Sequence, residues 1–279
     1  MSNKTKKNIE NGALYVFVIT FVSSILLPFI WLILGSFKNM KELFNVPVQI
    51  LPSTWNLDNY VAVFQSQPFG KYIINSFVIS LMSTLIVIVI ASMTSYSIAR
   101  VEIKGKKIML AALLSISLLP PVTLLNPIYQ LLSKLHLLNS YLGLSMALVA
   151  TELPMAVWFL TSFFQTIPME VEESAMIDGA SVTTTFTKIL IPLITPGIFT
   201  VSILTFINAW NNYLFAQVFN PLEKARTVTV ALTLFQQEYY VPWHIVSAAA
   251  IIVTAPLIIV VLVLQKRIIS GMMDGGVKG

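Results

Sequence analysis

Six long apolar segments that carry few or no charges constrain this chain more than any other feature of its sequence. They cover Leu14–Phe37, Tyr72–Ala99, Ile108–Ser133, Tyr141–Phe164, Leu193–Phe219 and Trp243–Gln265. About 20 apolar residues in a helix cross the roughly 30 Å of bilayer hydrocarbon, so each segment is long enough to span a membrane. A buried helix of a soluble protein would not explain six such segments in succession. We therefore predict an all-α, six-helix transmembrane bundle.

The composition supports a multi-pass protein of the cell membrane. Hydrophobic residues make up 56% of the chain and charged residues 10%, whereas soluble domains carry about 25% charge. The chain has no cysteine, which excludes disulfides, a thiol nucleophile and thiolate metal ligands. No linker rich in Gly and Ser interrupts it, so we predict a single transmembrane domain over residues 1–279.

The basic residues predict the orientation of the chain. With a cytoplasmic N-terminus, eleven of them would be inside: Lys4, Lys6, Lys7, Arg100, Lys104, Lys106, Lys107, Lys188, Lys266, Arg267 and Lys278. Six would be outside: Lys38, Lys41, Lys71, Lys134, Lys224 and Arg226. This excess predicts that both termini are cytoplasmic. Residues 38–71 are then the largest outer loop, 166–192 a cytoplasmic loop and 266–279 a cytoplasmic tail. Because the cations lie at the ends of apolar segments, the sequence does not predict nucleic-acid binding.

The polar, acidic loop before Pro192 reads as two short helices joined by a sharp turn. Three glutamates follow Pro168, where carboxylates suit the positive end of a helix. Gly179 readily takes the left-handed conformation that ends a helix, and Ser181 is a natural N-cap for a second helix through Ile189. We interpret the loop as a docking surface for a cytosolic partner. The alternative is an ordinary amphipathic loop at the membrane interface.

The residues of this loop resemble the EAA loop of ATP-binding-cassette (ABC) importer permeases. The resemblance rests on Glu173-Ser-Ala175, Asp178-Gly179-Ala180 and Ile189-Leu-Ile-Pro192. It extends to Ala209–Phe215, similar to a Trp-Asn segment of carbohydrate importer permeases, and to the outer loop and the C-terminal tail. The chain is therefore identified as similar to the maltose- and trehalose-type, MalG-like permeases.

The resemblance implies a type I ABC importer permease fold that couples to an ATPase through the loop. It implies that Glu173 makes an ionic contact with the ATPase, that Gly179 forms the elbow, and that the tail reaches toward the ATPase dimer interface. The residues that it assigns to coupling are Glu172, Glu173, Ala175, Asp178, Gly179, Ala180, Ile189 and Pro192. Its implied partners are a second permease, an ATPase dimer, an extracytoplasmic sugar-binding protein, a small-molecule sugar and membrane lipid.

Three positions depart from the family pattern. Ser174 stands where Ala is usual, and Ile191 stands where Leu is usual, both mild changes. Asn212 occupies a place where an acidic residue is common, so the resemblance carries no charge-based role to it.

The sequence predicts no chemistry of its own. It has no Gly-x-x-x-x-Gly-Lys-Ser/Thr loop for ATP phosphates. His136 and His244 have no ligand partner nearby in sequence, so no metal site is predicted. We expect no enzyme activity and no cofactor in this chain, with ATP and Mg²⁺ bound by the partner ATPase.

A sugar path needs amides, hydroxyls and aromatic faces that point away from lipid. The candidates are Asn208, Trp210, Asn211, Asn212 and Tyr213 in the fifth segment, and Glu152, an acid well inside the fourth segment. A carboxylate at that depth is costly and should face protein or water. The alternatives are hydrogen bonds that hold helices together, a partner-permease cation opposite Glu152, or a position for Glu152 near the outer surface.

Two other function classes stay open at this point. An ion-gradient-driven transporter would need intramembrane ionisable groups, and Glu152 is the plausible one. A membrane scaffold would bind partners through the loop without moving a solute.

Overall fold

The structure is a computed structural model that describes residues 3–102, 104–236 and 240–276. Within these ranges it contains helices and no β-strand, which confirms the predicted all-α class. The α-helices are α1 Asn3–Ser36, α2 Met40–Leu43, α3 Asp58–Ser66, α4 Phe69–Arg100, α5 Lys106–Ser117, α6 Val122–Lys134, α7 Tyr141–Thr166, α8 Met169–Ile177, α9 Val182–Thr184, α10 Ile191–Leu193, α11 Thr195–Asn211, α12 Leu214–Phe219, α13 Val228–Thr233 and α14 Trp243–Gly276. A π-helical segment, Thr185–Leu190, lies between α9 and α10.

Four of the six apolar segments form single helices long and apolar enough to cross a membrane. These spans are Leu14–Ser36, Phe69–Arg100, Tyr141–Thr166 and Trp243–Leu264. The described residues also contain two bent helix pairs, which raise the number of spans to six if each pair is one span. The range of four to six agrees with the predicted polytopic bundle.

The third apolar segment is bent instead of straight. Helices α5 and α6 meet at 92°, and the chain between them contains Pro120 and Pro121. Proline lacks an N–H and disfavours a helical conformation in the residue before it, so a pair of prolines ends α5. The segment Ile108–Ser133 therefore does not form the continuous helix that its composition suggested.

The fifth apolar segment is also interrupted. Helix α11 ends at Asn211, and the Asn212 side chain accepts a hydrogen bond from the Phe215 amide at 3.0 Å. Short polar side chains compete with helical backbone bonds in this way and favour helix ends. At its other end, α11 meets the Val182–Leu193 segment at 75°.

Contacts divide the chain into two compact units, and the first comprises Met1–Phe69 and Leu232–Ala255. In this unit the Asn59 amide donates to the carbonyl oxygens of Ser36 and Lys38, both at 2.8 Å. The Ser36 and Tyr60 hydroxyls lie 2.7 Å apart. These bonds fasten α3, which lies in the segment 38–71 predicted as an outer loop, to the end of α1.

The second unit comprises Gly70–Ala231 and Pro256–Gly279. Helix α7 lies at its centre and packs against α5, α11 and α12. The Ser95 hydroxyl donates to the Val157 carbonyl at 2.9 Å, and the Ser145 hydroxyl donates to the Ile79 carbonyl at 3.3 Å. Both bonds join α4 to α7. Small buried residues such as Ala91 permit this close approach.

Helices α7 and α11 approach closely at Gly197. A Cβ atom at Gly197 would lie 2.5 to 2.8 Å from ring atoms of Phe163. Phe163 belongs to a buried cluster that includes Leu190 and Ile194. The ring therefore has little room to move, and only glycine fits opposite it.

We expect Gly197→Ala to destabilise the folded chain by about 1–3 kcal/mol, because overpacking forces side chains out of their preferred rotamers. The measurement is the thermal unfolding midpoint in detergent. Gly70→Ala is the control, since a Cβ there meets nothing within 4 Å. Adding Phe163→Leu should recover part of the loss, and equal midpoints for both alanine variants would contradict the tight contact.

Candidate functional site

Helix α8 forms the first arm of the polar loop. Pro168 precedes it in an extended conformation, and the first turn contains Glu170 and Glu172. Carboxylates are favoured there because the free backbone N–H groups make the N-terminal end of a helix positive. This arrangement confirms the predicted first helix.

The turn that follows α8 is a Schellman motif. Gly179 has φ +83°, and its amide donates to the Met176 carbonyl at 3.0 Å. The Ala180 amide donates to the Ala175 carbonyl at 2.9 Å. These two bonds satisfy carbonyls that the end of the helix leaves free. The predicted left-handed glycine at the end of the first helix is therefore confirmed.

The second arm begins at Ser181, whose hydroxyl accepts a hydrogen bond from the Thr184 amide at 3.3 Å. This confirms the predicted N-cap. The arm is not a regular α-helix, because it widens into the π-helical segment, in which the Ile191 amide donates to the Phe186 carbonyl five residues earlier. The arm then continues to Leu193, and Pro192 is exposed within it. Single π-helical turns are rare and often mark functional sites.

The two arms, which meet at Gly179 and together cover residues 169–193, are called the elbow below, and they expose a face that is partly charged and partly apolar. Glu173, Met176 and Asp178 are exposed, and Ile177 is 85% exposed. On the opposite face, Ala175 is buried. Of the other predicted coupling residues, Ala180 and Ile189 are partly buried. The exposed face therefore combines two carboxylates with large apolar side chains, a composition suited to a protein partner.

Glu172 points away from this face and pairs with Arg100 at the end of α4. The Arg100 Nε atom donates to the Glu172 carboxylate. The Tyr96 hydroxyl donates to the same carboxylate at 3.3 Å. Arg100 also donates from Nη2 to the Ile167 carbonyl at 3.1 Å. Glu172 therefore contacts its own chain, whereas Glu173 faces solvent.

Arg100 and Tyr96 were missed as site residues in the sequence, where Arg100 served only as a cation that sets orientation. The usable signal was the Glu172-Glu173 pair, because neighbouring residues on a helix point about 100° apart and one of them must turn inward. That signal predicts an inward acid but does not identify its partner.

A second group of polar residues surrounds Glu152 on α7. Asn208 of α11 donates to the Glu152 carboxylate at 3.1 Å. Glu152 and Asn212 line one cavity of about 210 Å³, and Glu152 and Asn208 line another of about 210 Å³. The structure thus brings together three of the six predicted path residues. Among the described residues, no Lys, Arg or His lines either cavity.

The other three predicted path residues lie outside these two cavities. Trp210 is buried at 1% exposure and stacks on Phe206, with ring centroids 6.1 Å apart. Asn211 and Tyr213 are exposed on the surface of the chain. A role for these three in the path stays a prediction.

The described ranges contain no group of three or more His, Cys, Asp or Glu side chains that could hold a metal ion. His136 sits in a left-handed turn with φ 55°, and His244 is partly buried near the start of α14. The part of the C-terminal tail beyond residue 276 lies outside the described residues.

The family comparison identifies the chain. Residues 92–274 match the model of the binding-protein-dependent transport system inner membrane component. The chain belongs to this family. The match includes the whole elbow, Arg100, Glu152 and Asn208.

Individual relatives cover nearly the whole length of this permease. It is 37% identical to the sulfoquinovosyl glycerol transport system permease protein SmoH of Agrobacterium fabrum, over 91% of this chain and 89% of the relative. It is 38% identical to the trehalose/maltose transport system permease protein MalG of Thermococcus litoralis, over 91% and 92%. Its fold is similar to that of a chain in a bacterial ABC transporter involved in import of the acidic polysaccharide alginate, with a TM-score of 0.81, 21% identity and coverage of 94% and 97%.

These comparisons settle the broad class. The chain is a multi-pass inner membrane component with an ABC importer permease fold. The predicted orientation of the termini stays a prediction, as do the individual coupling and path residues.

Proposed function

We propose that this chain is a permease subunit of an ATP-driven sugar importer, with di- or oligosaccharides as its substrates. The observation that carries the proposal is the elbow, in which a Schellman turn holds Glu173 and Asp178 outward beside exposed Met176 and Ile177. Relatives named for transport of trehalose, maltose and sulfoquinovosyl glycerol support a sugar substrate.

The elbow is the proposed contact with an ATPase dimer. Glu173 supplies a charge for a cation of the partner, and Met176 and Ile177 supply apolar area that association would remove from water. Ala175 packs inward and Gly179 sets the direction of the second arm. ATP and Mg²⁺ bind in that partner, and this chain performs no hydrolysis. A second permease completes the path, and an extracytoplasmic binding protein delivers the sugar.

The cavities around Glu152 are the proposed part of the sugar path. Asn208 fixes one carboxylate oxygen of Glu152, and the other oxygen, which accepts no hydrogen bond from the described residues, can accept a sugar hydroxyl. Asn212 adds an amide at the neighbouring cavity. Such a set matches the alternating donors and acceptors of a saccharide, and it leaves the carboxylate partly in contact with water.

The first experiment tests the whole proposal. The tagged chain is purified in mild detergent, co-purified proteins are identified, and the assembly is reconstituted in vesicles with labelled saccharides. We expect an ATPase and a second permease to accompany the chain, and uptake to require ATP inside the vesicle. Uptake that persists without ATP and stops when the proton gradient is collapsed would favour an ion-driven transporter. An assembly that moves no solute would favour a scaffold.

Gly179→Val should separate ATP hydrolysis from uptake. A β-branched residue at φ +83° is strained by about 1–2 kcal/mol, although no atom lies within 4 Å of its Cβ. The elbow should therefore change direction while the chain still inserts. Gly179→Asn is the matched control, because asparagine tolerates the left-handed conformation. Normal uptake by the valine variant would contradict the coupling assignment.

Glu152→Gln should raise the KM of sugar uptake about tenfold, because a hydrogen bond to a charged acceptor contributes about 1.5–3 kcal/mol. The reconstituted assembly should keep its subunits and its response to ATP. Glu102→Gln is the control, since Glu102 is exposed beyond α4. An unchanged KM would assign Glu152 to helix packing, and loss of the second permease would assign it to subunit pairing.

A further inference from the structure

We infer that the buried Arg100–Glu172 pair is a positioning device that makes α8 and α4 move as one body when the elbow is displaced. The inference rests on the proposed function, because it concerns how a force at the elbow reaches the membrane helices. Arg100 touches neither the exposed face of the elbow nor the Glu152 cavities, so its role is to hold other residues in place.

The pair is well enclosed for residues at the end of a membrane helix. The Arg100 and Glu172 side chains are 9% and 5% exposed. The exposed pair Lys71–Glu223 differs, with side chains that are 46% and 59% exposed. Exposed pairs hold groups together only weakly. Separating a buried pair leaves an uncompensated buried charge, which is strongly destabilising, so the two side chains stay together.

Arg100 joins three helices at one point. Its Nε atom reaches Glu172 of α8, and its Nη2 atom reaches the Ile167 carbonyl at the end of α7. The planar guanidinium can serve both acceptors at once because its donors point in fixed directions. The link between α7 and α8 is therefore fastened to α4 at the residues where a hinge would otherwise form.

A ring cluster fastens the second arm to the same helix. Tyr96 lies 5.8 Å from Phe164 of α7 and 5.1 Å from Phe186 of the π-helical segment, between ring centroids. Phe164 and Phe186 are stacked at 6.2 Å. Since Tyr96 also donates to Glu172, one turn of α4 contacts both arms of the elbow.

Two neighbouring glutamates of α8 make the proposed contact with the ATPase and the buried contact with Arg100. Glu173 faces solvent and Glu172 faces Arg100. One peptide unit joins Glu173 to Glu172, so a displacement of the exposed carboxylate also displaces the ion pair and, through it, α4. Without the pair, α8 could tilt about Ile167 while α4 stayed in place.

The test is a double-mutant cycle in the complete transporter reconstituted in vesicles. The variants are Arg100→Glu, Glu172→Arg and both together, and the readout is ATP hydrolysed per sugar imported. We expect each single reversal to raise that ratio about tenfold, a size typical of coupling between sites. The double variant should show a lower ratio than either single variant, because opposite charges again face each other. Glu102→Arg is the control, since Glu102 is exposed beyond α4 and lies outside the elbow, and its ratio should stay at the wild-type value.

A second readout does not depend on transport. In the wild-type chain and in Glu172→Gln, which keeps the side-chain shape, backbone hydrogen exchange is measured across residues 169–193. We expect faster exchange in the variant, because loss of the anchor lets α8 open locally. This measurement tests the inference even if the reversal variants fail to insert.

The outcomes distinguish failure of the proposed function from failure of the Arg100–Glu172 inference. An absence of ATP-dependent sugar uptake in wild-type vesicles would overturn the proposed function. The role of the Arg100–Glu172 pair would then be tested by the exchange measurement. The inference about the Arg100–Glu172 pair would be overturned by any of three results. These are a wild-type ratio in the single reversals, additive effects in the cycle, and unchanged exchange in Glu172→Gln.

Discussion

Backbone N–H and C=O groups in hydrocarbon find no water to bond, so every interruption of a membrane helix must supply its own partners. The chain meets this requirement differently at each interruption. At Asn212 a side-chain oxygen receives the Phe215 amide. Between α5 and α6, Pro120 and Pro121 have no N–H to satisfy. In the polar loop, outside the candidate spans, the Gly179 and Ala180 amides likewise bond to carbonyls that α8 leaves free. At these breaks the backbone groups named here are therefore satisfied, as they are within the helices that the breaks join.

The two candidate sites lie at breaks between helices for a physical reason. A continuous helix has already used its backbone groups and exposes only side chains, whereas a break lets neighbouring segments point in new directions. The elbow uses its break to turn Glu173 and Asp178 toward solvent. The end of α11 uses its break to bring Asn212 to a cavity that Glu152 also lines. Helix α7 runs through the centre of the second unit and carries Glu152 beside both cavities.

Much of this was readable from sequence because it is local. The apolar segments follow from composition, and the elbow follows from glycine and serine at fixed offsets. Pro120 and Pro121 were equally visible, yet the apolar character of the segment outweighed them. The Arg100–Glu172 pair was not predictable, since it joins residues 72 positions apart and depends on how α4 packs against α7. The grouping of Glu152 with Asn208 likewise depends on helix rotation, which composition does not specify.

Ile177 is 85% exposed and Met176 is 49% exposed on the elbow, next to the carboxylate of Asp178. A copy of the chain that has inserted but not assembled carries this apolar area in water, where it is prone to nonspecific association. A partner that covers it, as proposed for the ATPase, lowers the free energy of the assembled state relative to the unassembled chain. If the elbow binds an ATPase as proposed, balanced synthesis of the two proteins limits the amount of permease that keeps this apolar area exposed.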